Sequence, residues 1–296
     1  MRKTIAFLLA GGLLAATGSA LPALGQGGGA GLVPAAVGST VRAPIDFVPH
    51  RAVYDLSLGE TRGSSSVETI RGRIVYDFSG NPCEGYALNF RQVTEIGVNG
   101  GTSNISDLRS ATFEDDKGQS FRFTSQNYVN DKLDTTIDGH ADRAASGDVA
   151  VALKKPKDAK FDLPQGVVFP TGQMKAIVEA ANAGNSVYES KIYDGSDGGE
   201  KVYSTLAVVG RKVAPDKPRE GAAAGKKDLD GVDRWPVTIS YFDPSKAAAG
   251  EQTPVYSISF ELYANGISGN IRLDYNDFTL KGEMTSLEFL PKTQCR

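Results

Sequence analysis

The chain has 296 residues, enough for one large domain or two small ones, and carries 32 basic against 35 acidic side chains. A mildly acidic chain with no basic cluster interleaved with aromatics excludes nucleic acid and an anionic membrane surface as main partners.

Residues 1–25 read as a secretory signal peptide. Arg2 and Lys3 form the basic region, Ile5 to Ala16 is the apolar stretch, and Gly18-Ser19-Ala20 and Ala23-Leu24-Gly25 supply small residues for cleavage. The stretch is too short for a comfortable membrane span. No cysteine lies near it, which closes the lipoprotein route. The mature chain, with 30 basic and 35 acidic residues after loss of Arg2 and Lys3, is expected in the periplasm without a membrane span. Residues 26–46 are rich in Gly, Ala, Val and Pro and read as a flexible tail. Residues 47–296 then form a single domain.

From His50 almost everything reads as strand. His50 to Leu58 alternates apolar and polar residues. Ser66 to Phe78, Gly85 to Ile96, Thr102 to Phe113 and Ser120 to Val129 follow, separated by the turns Ser79-Gly80-Asn81-Pro82 and Asp115-Asp116-Lys117-Gly118. Lys132 to Arg143, Asp148 to Lys154 and Ala159 to Leu163 are shorter candidates. About fourteen strands are expected in all, at the turn spacing of an antiparallel all-β domain. One helix interrupts them, Gly172 to Ala183. Thr171 is its expected N-cap, Met174, Ile177 and Val178 its apolar stripe, and Gly184 its C′ residue. Two loops follow: Pro215 to Val232, expected to be a mobile excursion, and Asp243 to Thr253.

The last forty residues carry the clearest pattern. Tyr256, Ile258, Phe260 and Leu262 alternate with polar residues. A two-residue turn at Asn265-Gly266 pairs them with Tyr275, Leu273, Ile271 and Gly269. A second turn at Asn276-Asp277 pairs Tyr275 with Phe278, Leu273 with Leu280, Ile271 with Gly282 and Gly269 with Met284. The dry face stays dry across all three strands, which fixes the register. The phase then shifts by one, to Leu287 and Phe289, and predicts a β-bulge at Thr285-Ser286. A long antiparallel sheet must curl. The fold class is therefore all-β: a large antiparallel β-spiral or incomplete barrel with one amphipathic helix that plugs or flanks it.

Two cysteines, Cys83 and Cys295, suggest one disulfide in an oxidising compartment; two free thiols are the alternative. Few other residues suit catalysis. His50 and His140 lie far apart with no ligand spacing, His140 in the turn-like Asp138-Gly139-His140, and both read as surface or structural. Asp194-Gly195-Ser196-Asp197-Gly198-Gly199-Glu200 looks slightly like a calcium loop but lacks the acidic third position and the distant Glu, so a hairpin loop is the plainer reading. No nucleophile elbow, phosphate-binding loop or zinc motif is present. No catalytic, cofactor-binding or metal residue is assigned. Gly269 and Gly282 leave bulk out of the dry face, which either makes room for a ligand or serves a bend or a close helix approach.

Several short stretches resemble the EipB family of periplasmic cell-envelope integrity proteins. They are His50-Arg51-Ala52-Val53-Tyr54, Phe169-Pro170-Thr171, Ala180-Ala181-Asn182-Ala183-Gly184, Tyr193 to Gly199, Phe260 to Ser268, Leu273 to Phe278 and the closing Cys295. The likeness runs from about residue 47 to the end. The chain departs from the family in a longer N-terminal tail and in Gln173, where a histidine is expected nearby. The resemblance implies a large antiparallel β-spiral, a disulfide between Cys83 and Cys295, and a non-enzymatic periplasmic role in maintaining the envelope. The candidate partners are a lipid or amphiphilic envelope component and a periplasmic protein. An envelope glycan or peptide hydrolase is the competing class, and it needs a cleft of converging acids or histidine that the sequence does not offer.

Overall fold

The computed structural model describes residues 45–246, 253–293 and 295. The expected signal peptide and nearly all of the expected tail lie outside the described residues. Residues 45–296 group as one compact unit.

Among the described residues, fifteen strands form one sheet. In chain order they are β1 (His50–Thr61), β2 (Val67–Asn81), β3 (Gly85–Val98), β4 (Thr102–Glu114), β5 (Ser120–Val129), β6 (Lys132–Arg143), β7 (Val149–Lys155) and β8 (Ala159–Leu163). Then come β9 (Val167–Val168), helix α1 (Pro170–Asn182), β10 (Val187–Ile192), β11 (Tyr203–Val209), β12 (Arg234–Phe242), β13 (Tyr256–Tyr263), β14 (Ser268–Tyr275) and β15 (Phe278–Phe289). The sheet order runs from β8 down to β1, then from β15 down to β9. Every neighbouring pair is antiparallel except β9 with β10. The edges are thus β8 and β9, yet only residues 164–166 separate them in the chain. That link spans at most roughly 14 Å. Fifteen strands must therefore curl until their edges come close, which gives a nearly closed barrel. The expected all-β fold with one helix is present. The strands not foreseen are β9, only two residues long, and β10, whose inward row Tyr188, Ser190, Ile192 has a polar centre.

The C-terminal register is largely as the sequence implies. Tyr256 pairs with Tyr275, Ile258 with Leu273 and Phe260 with Ile271; Ile271 pairs with Gly282 and Leu273 with Leu280. Thr285 is bulged out, between the pairs Val53–Ser286 and Tyr54–Met284. The first turn differs. Gly266 N–H donates to Tyr263 O and Tyr263 N–H to Ile267 O, both at 2.9 Å, so the loop has three residues, Ala264 to Gly266. Gly266 sits at φ +90°, as the last residue of such a loop requires. The added residue moves Leu262 opposite Ser268 instead of Gly269. A bulge at Gly269-Asn270, opposite Glu261, then restores the foreseen pairing. Gly269 does not pair with Met284 either; the Met284 N–H donates instead to the Asn270 side-chain oxygen at 2.8 Å.

Helix α1 begins at Pro170, two residues before the expected start. Its N-cap is Phe169, which has no capping side chain. The cap comes from across the barrel: the Glu114 carboxylate at the end of β4 accepts from Thr171 and Gly172 N–H, both at 2.7 Å. At the other end Gly184 N–H reaches Ala181 O and Asn185 N–H reaches Ala180 O, the paired bonds of a Schellman close with Gly184 at φ +79°. Ile177 and Val178 are fully buried against Phe78 and Tyr86 on one wall and Trp235, Val237 and Leu262 on the other. The helix therefore plugs the barrel. The buried Gln173 amide donates to Thr205 Oγ1 (2.8 Å) and Ser190 Oγ (3.1 Å), tying the plug to β10 and β11.

Residues 215–232 are a packed loop, not a mobile excursion. Ala223 and Leu229 are each 1 % exposed, within a core cluster that includes Met284 and Leu287. The Arg219 guanidinium gathers the carbonyls of Ala223, Lys226 and Leu229. Two apolar anchors in eighteen residues make no periodicity, so the pattern is invisible in sequence. Of the second loop, residues 247–252 lie outside the described residues.

Candidate functional site

Strand alternation sends every second side chain into the barrel. Near the helix these inward residues are fully buried; further along the strands they keep part of their surface. On β12 to β14 the partly accessible inward residues are Tyr241, Tyr256, Ile258, Ile271, Leu273 and Tyr275. Tyr76, Leu88 and Phe90 continue this apolar wall on β2 and β3. On β4 and β5 the inward row is mixed: Ser106, Ser110, Thr112, Ser125 and Asn127 alternate with Leu108, Phe121, Phe123 and Val129. Burial nevertheless pushes the Tyr76, Tyr241 and Tyr256 phenols up, and Tyr275 up to about 12. Side chains that are desolvated yet half-accessible line an enclosed space, not an outer surface. The inner face of the barrel therefore carries partly accessible aromatic and aliphatic side chains, several packed against the core round the helix, beside Ser, Thr and Asn side chains. Such a concave, largely apolar surface with a few polar groups is the usual form of a binding site.

The two ends of the barrel differ. One carries the disulfide. Cys83 and Cys295 are joined, with Cα atoms 5.7 Å apart. Asn81 braces them: its side-chain oxygen accepts from Cys83 N–H at 2.8 Å and its amide donates to Thr293 Oγ1 at 2.7 Å. Glu114 lies at this end, 3 % exposed, its carboxyl pushed up to about 7 by burial against the lowering pull of the Thr171 and Gly172 N–H groups. Lys175 pairs with Asp116 and lies 4.4 Å from the Tyr86 ring centre.

At the other end a row of aromatic rings crosses five strands. Tyr203 meets Tyr241 edge-on at 6.1 Å, Tyr241 stacks on Tyr256 at 4.5 Å, Tyr256 lies 6.0 Å from Tyr275, and Tyr275 stacks on Phe278 at 4.9 Å. Beside the row runs the loop from Tyr193 to Val202. It turns into the barrel, with Tyr193 fully buried edge-on against Phe121 and Phe123. Gly195 lies so close to Phe123 that a Cβ there would fall 2.4 Å from the ring. Asp194 accepts from Ser196 N–H and Oγ at 2.9 and 2.5 Å, and burial pushes its carboxyl up. Asp197 takes the Tyr203 hydroxyl and, at 3.3 Å, Lys201, which also reaches Asp243 at 2.7 Å.

The sequence candidates fall as follows. His50 is 2 % exposed, stacked on Tyr76 at 5.5 Å, with Nδ1 2.9 Å from Val48 O; burial lowers its pKa. His140 is not in a turn. It lies mid-β6 on the outer face, paired with Arg122 and Ala152, 3.7 Å from Asp142. The Asp194 to Glu200 loop joins the paired strands β10 and β11, and among the described residues no group of three or more potential ligands could hold a metal ion. Gly282 makes no room for a ligand: Ile271 fills the space a Cβ would take, at 2.4 Å. Gly269 serves the bulge opposite Glu261. Sequence reasoning passed over the tyrosine row, Glu114 and the polar β4–β5 wall. In sequence the row shows only as the Tyr256–Tyr275 pairing on the dry face of two strands.

A nearly closed antiparallel β-barrel plugged by one helix defines the class of fold. The comparisons with known proteins give the family. The EipB-like family model matches residues 41–291, and the chain belongs to that family. It is 38 % identical over 251 residues to the cell envelope integrity protein EipB of Brucella abortus, covering 84 % of this chain and 87 % of that protein. Its structure matches the crystal structure of a beta-barrel-like protein of the domain of unknown function DUF1849, also from Brucella abortus. The TM-score is 0.77 at 36 % identity, covering 83 % of this chain and all of the other.

Proposed function

We propose that this protein is a non-enzymatic periplasmic component of cell-envelope maintenance that carries or sequesters an amphiphilic envelope molecule in its lumen. The observation behind this is the inner face of the nearly closed barrel, where Tyr241, Tyr256, Ile258, Ile271, Leu273 and Tyr275 keep part of their surface accessible. Such a row suits an apolar chain, and the Ser, Thr and Asn side chains among the inward residues of β4 and β5 suit the polar groups of the same molecule. Each CH₂ moved from water onto such a wall contributes about 0.8 kcal/mol. A twelve-carbon chain would gain on the order of 9 kcal/mol before the cost of association. The name of the Brucella relative supports the envelope role. The hydrolase alternative draws on neither histidine: His50 is sealed between aromatic rings and His140 faces outward. The test is to purify the protein from a periplasm without detergent and extract it with organic solvent for mass spectrometry. A stoichiometric amphiphile is expected. A consistently empty extract, together with no uptake of added lipid, sinks the carrier reading and leaves a protein partner as the object of search.

A further inference from the structure

The sheet does not bond to itself, and one of its free edges reads alike in charge from either end. Strand β8 ends the sheet on one side. Its five residues, Ala159 to Leu163, pair with β7. Among the described residues their backbone makes no hydrogen bond on the other side. Such an edge presents unpaired N–H and C=O groups to any strand that can lie beside it. Ala159, Phe161 and Leu163 are on the inner face, opposite Leu153, Val151 and Val149, and Phe161 keeps part of its surface. Lys160 and Asp162 are on the outer face and exposed. Neither has an ion-pair partner among the described residues.

The segment is self-complementary. Turned about a two-fold axis at Phe161, it runs antiparallel to its own copy. Ala159 then lies opposite Leu163 of the partner subunit, Phe161 opposite the partner's Phe161, and Lys160 opposite the partner's Asp162, the last pair occurring twice. Directly opposite residues of an antiparallel pair share a face. Apolar side chains therefore meet on the inner face and opposite charges on the outer one. The neighbouring registers are disfavoured. A shift of two residues sets Lys160 against the partner's Lys160, or Asp162 against the partner's Asp162, and a shift of one sends matched side chains to opposite faces.

The strands behind β8 extend the match. Asp162 lies in an outer row with Ala150 and Asp142, and Asp142, Asp148 and Asp162 line one hollow of about 380 Å³. Asp142 has His140 at 3.7 Å and Asp148 has the Ser146 hydroxyl at 2.8 Å. A lysine arriving opposite Asp162 brings a cation to these three carboxylates.

We propose that β8 pairs antiparallel with β8 of a second copy about a two-fold axis at Phe161, joining two barrels through one continuous sheet. A two-fold contact of this kind closes after two copies. The interface is small, since five residues span roughly 17 Å of strand, so the dimer is of the weak, transient class. It does not depend on what the inner face of the barrel carries.

The test is sedimentation velocity over a concentration series, on protein purified from a periplasm. Wild type should dimerise reversibly, and less at high salt. Lys160→Asp sets aspartate against aspartate at both ends of the interface, and Asp162→Lys sets lysine against lysine. Each should weaken the dimer about tenfold or more. Both substitutions in one chain exchange the charges, restore the match and should restore the dimer. An equal mixture of the two single variants should dimerise where neither does alone, because an acidic edge then meets a basic one. Both side chains are exposed, so the melting temperature should hold in every variant. A wild type that stays monomeric at every concentration overturns the proposal and leaves the edge to an extended segment of another protein. A dimer indifferent to both single substitutions puts the interface elsewhere and overturns it as well. A mixture of the single variants that stays monomeric overturns the antiparallel register.

Discussion

Glu114→Gln tests whether the plug helix is held by a buried carboxylate whose proton equilibrium folding has moved. The native group sits at about 7 against an ordinary 4.5. Its folded pKa is raised, so the native protein holds a proton there that the unfolded chain has already lost between those two values. Glu114 therefore contributes stability fully below about pH 4.5, and that contribution disappears as pH rises through about 7. At about 1.4 kcal/mol per pH step, the swing is about 3 kcal/mol. Other groups add their own slopes. Asp194 and Asp197 are also raised by burial and act in the same direction from 3.8 upward. His50 is lowered, so its contribution is present above 6.5 and lost as pH falls. The raw wild-type curve mixes them, but the difference between wild type and Glu114→Gln isolates the one site. The glutamine amide faces one of the two helix N–H donors with a donor of its own, a loss that does not vary with pH. Denaturant unfolding at intervals from pH 4.5 to 8 should show the wild-type advantage shrinking by about 3 kcal/mol across the range. A difference that stays flat with pH would refute the buried, raised carboxyl. A difference that grows with pH would mean the two N–H bonds outweigh burial.

Two further perturbations address the frame. Cys83→Ser removes a crosslink that closes a separation of 212 positions and should cost about 2–5 kcal/mol; melting curves that coincide with and without reductant would show the bond unimportant. Gly266→Val places a β-branched residue at φ +90°, where even a Cβ would come within 2.6 Å of the Phe47 ring, so a loss of about 3 kcal/mol or more is expected from backbone strain and overpacking together, and an unchanged melting temperature would be incompatible with the three-residue loop.

The legible parts of this fold are those whose signal is short-range. Alternation over Tyr256–Leu262 and Leu273–Tyr275, with Asn276-Asp277 between strands, set the pairing of β13 to β15, and the change of phase after Met284 set the bulge at Thr285. The Met174, Ile177 and Val178 spacing with Gly184 set the helix. The first hairpin shows where this stops: a two-residue and a three-residue loop share the same Asn-Gly signal, and a compensating bulge at Gly269-Asn270 leaves the distant pairs identical. The helix start was misplaced because its cap, Glu114, lies some sixty residues earlier in the chain. Residues 215–232 looked mobile because Ala223 and Leu229 are held by a core assembled from other strands.

The sequence by itself determined the class of this protein: period-two patterning, turn residues and one amphipathic helix permit little but a curled antiparallel sheet, and the resemblance carried the family. What only the tertiary structure decided is the inner face of the nearly closed sheet. Whether Tyr241, Tyr256 and Tyr275 are core or cavity wall, and whether Ser110 and Asn127 face them or solvent, depends on closure of the sheet between β8 and β9. The same holds for Tyr193, which is buried against Phe121 and Phe123 only because its loop folds into the barrel. Local patterns state which side of a strand is dry; how much empty space that side encloses is a property of all fifteen strands together.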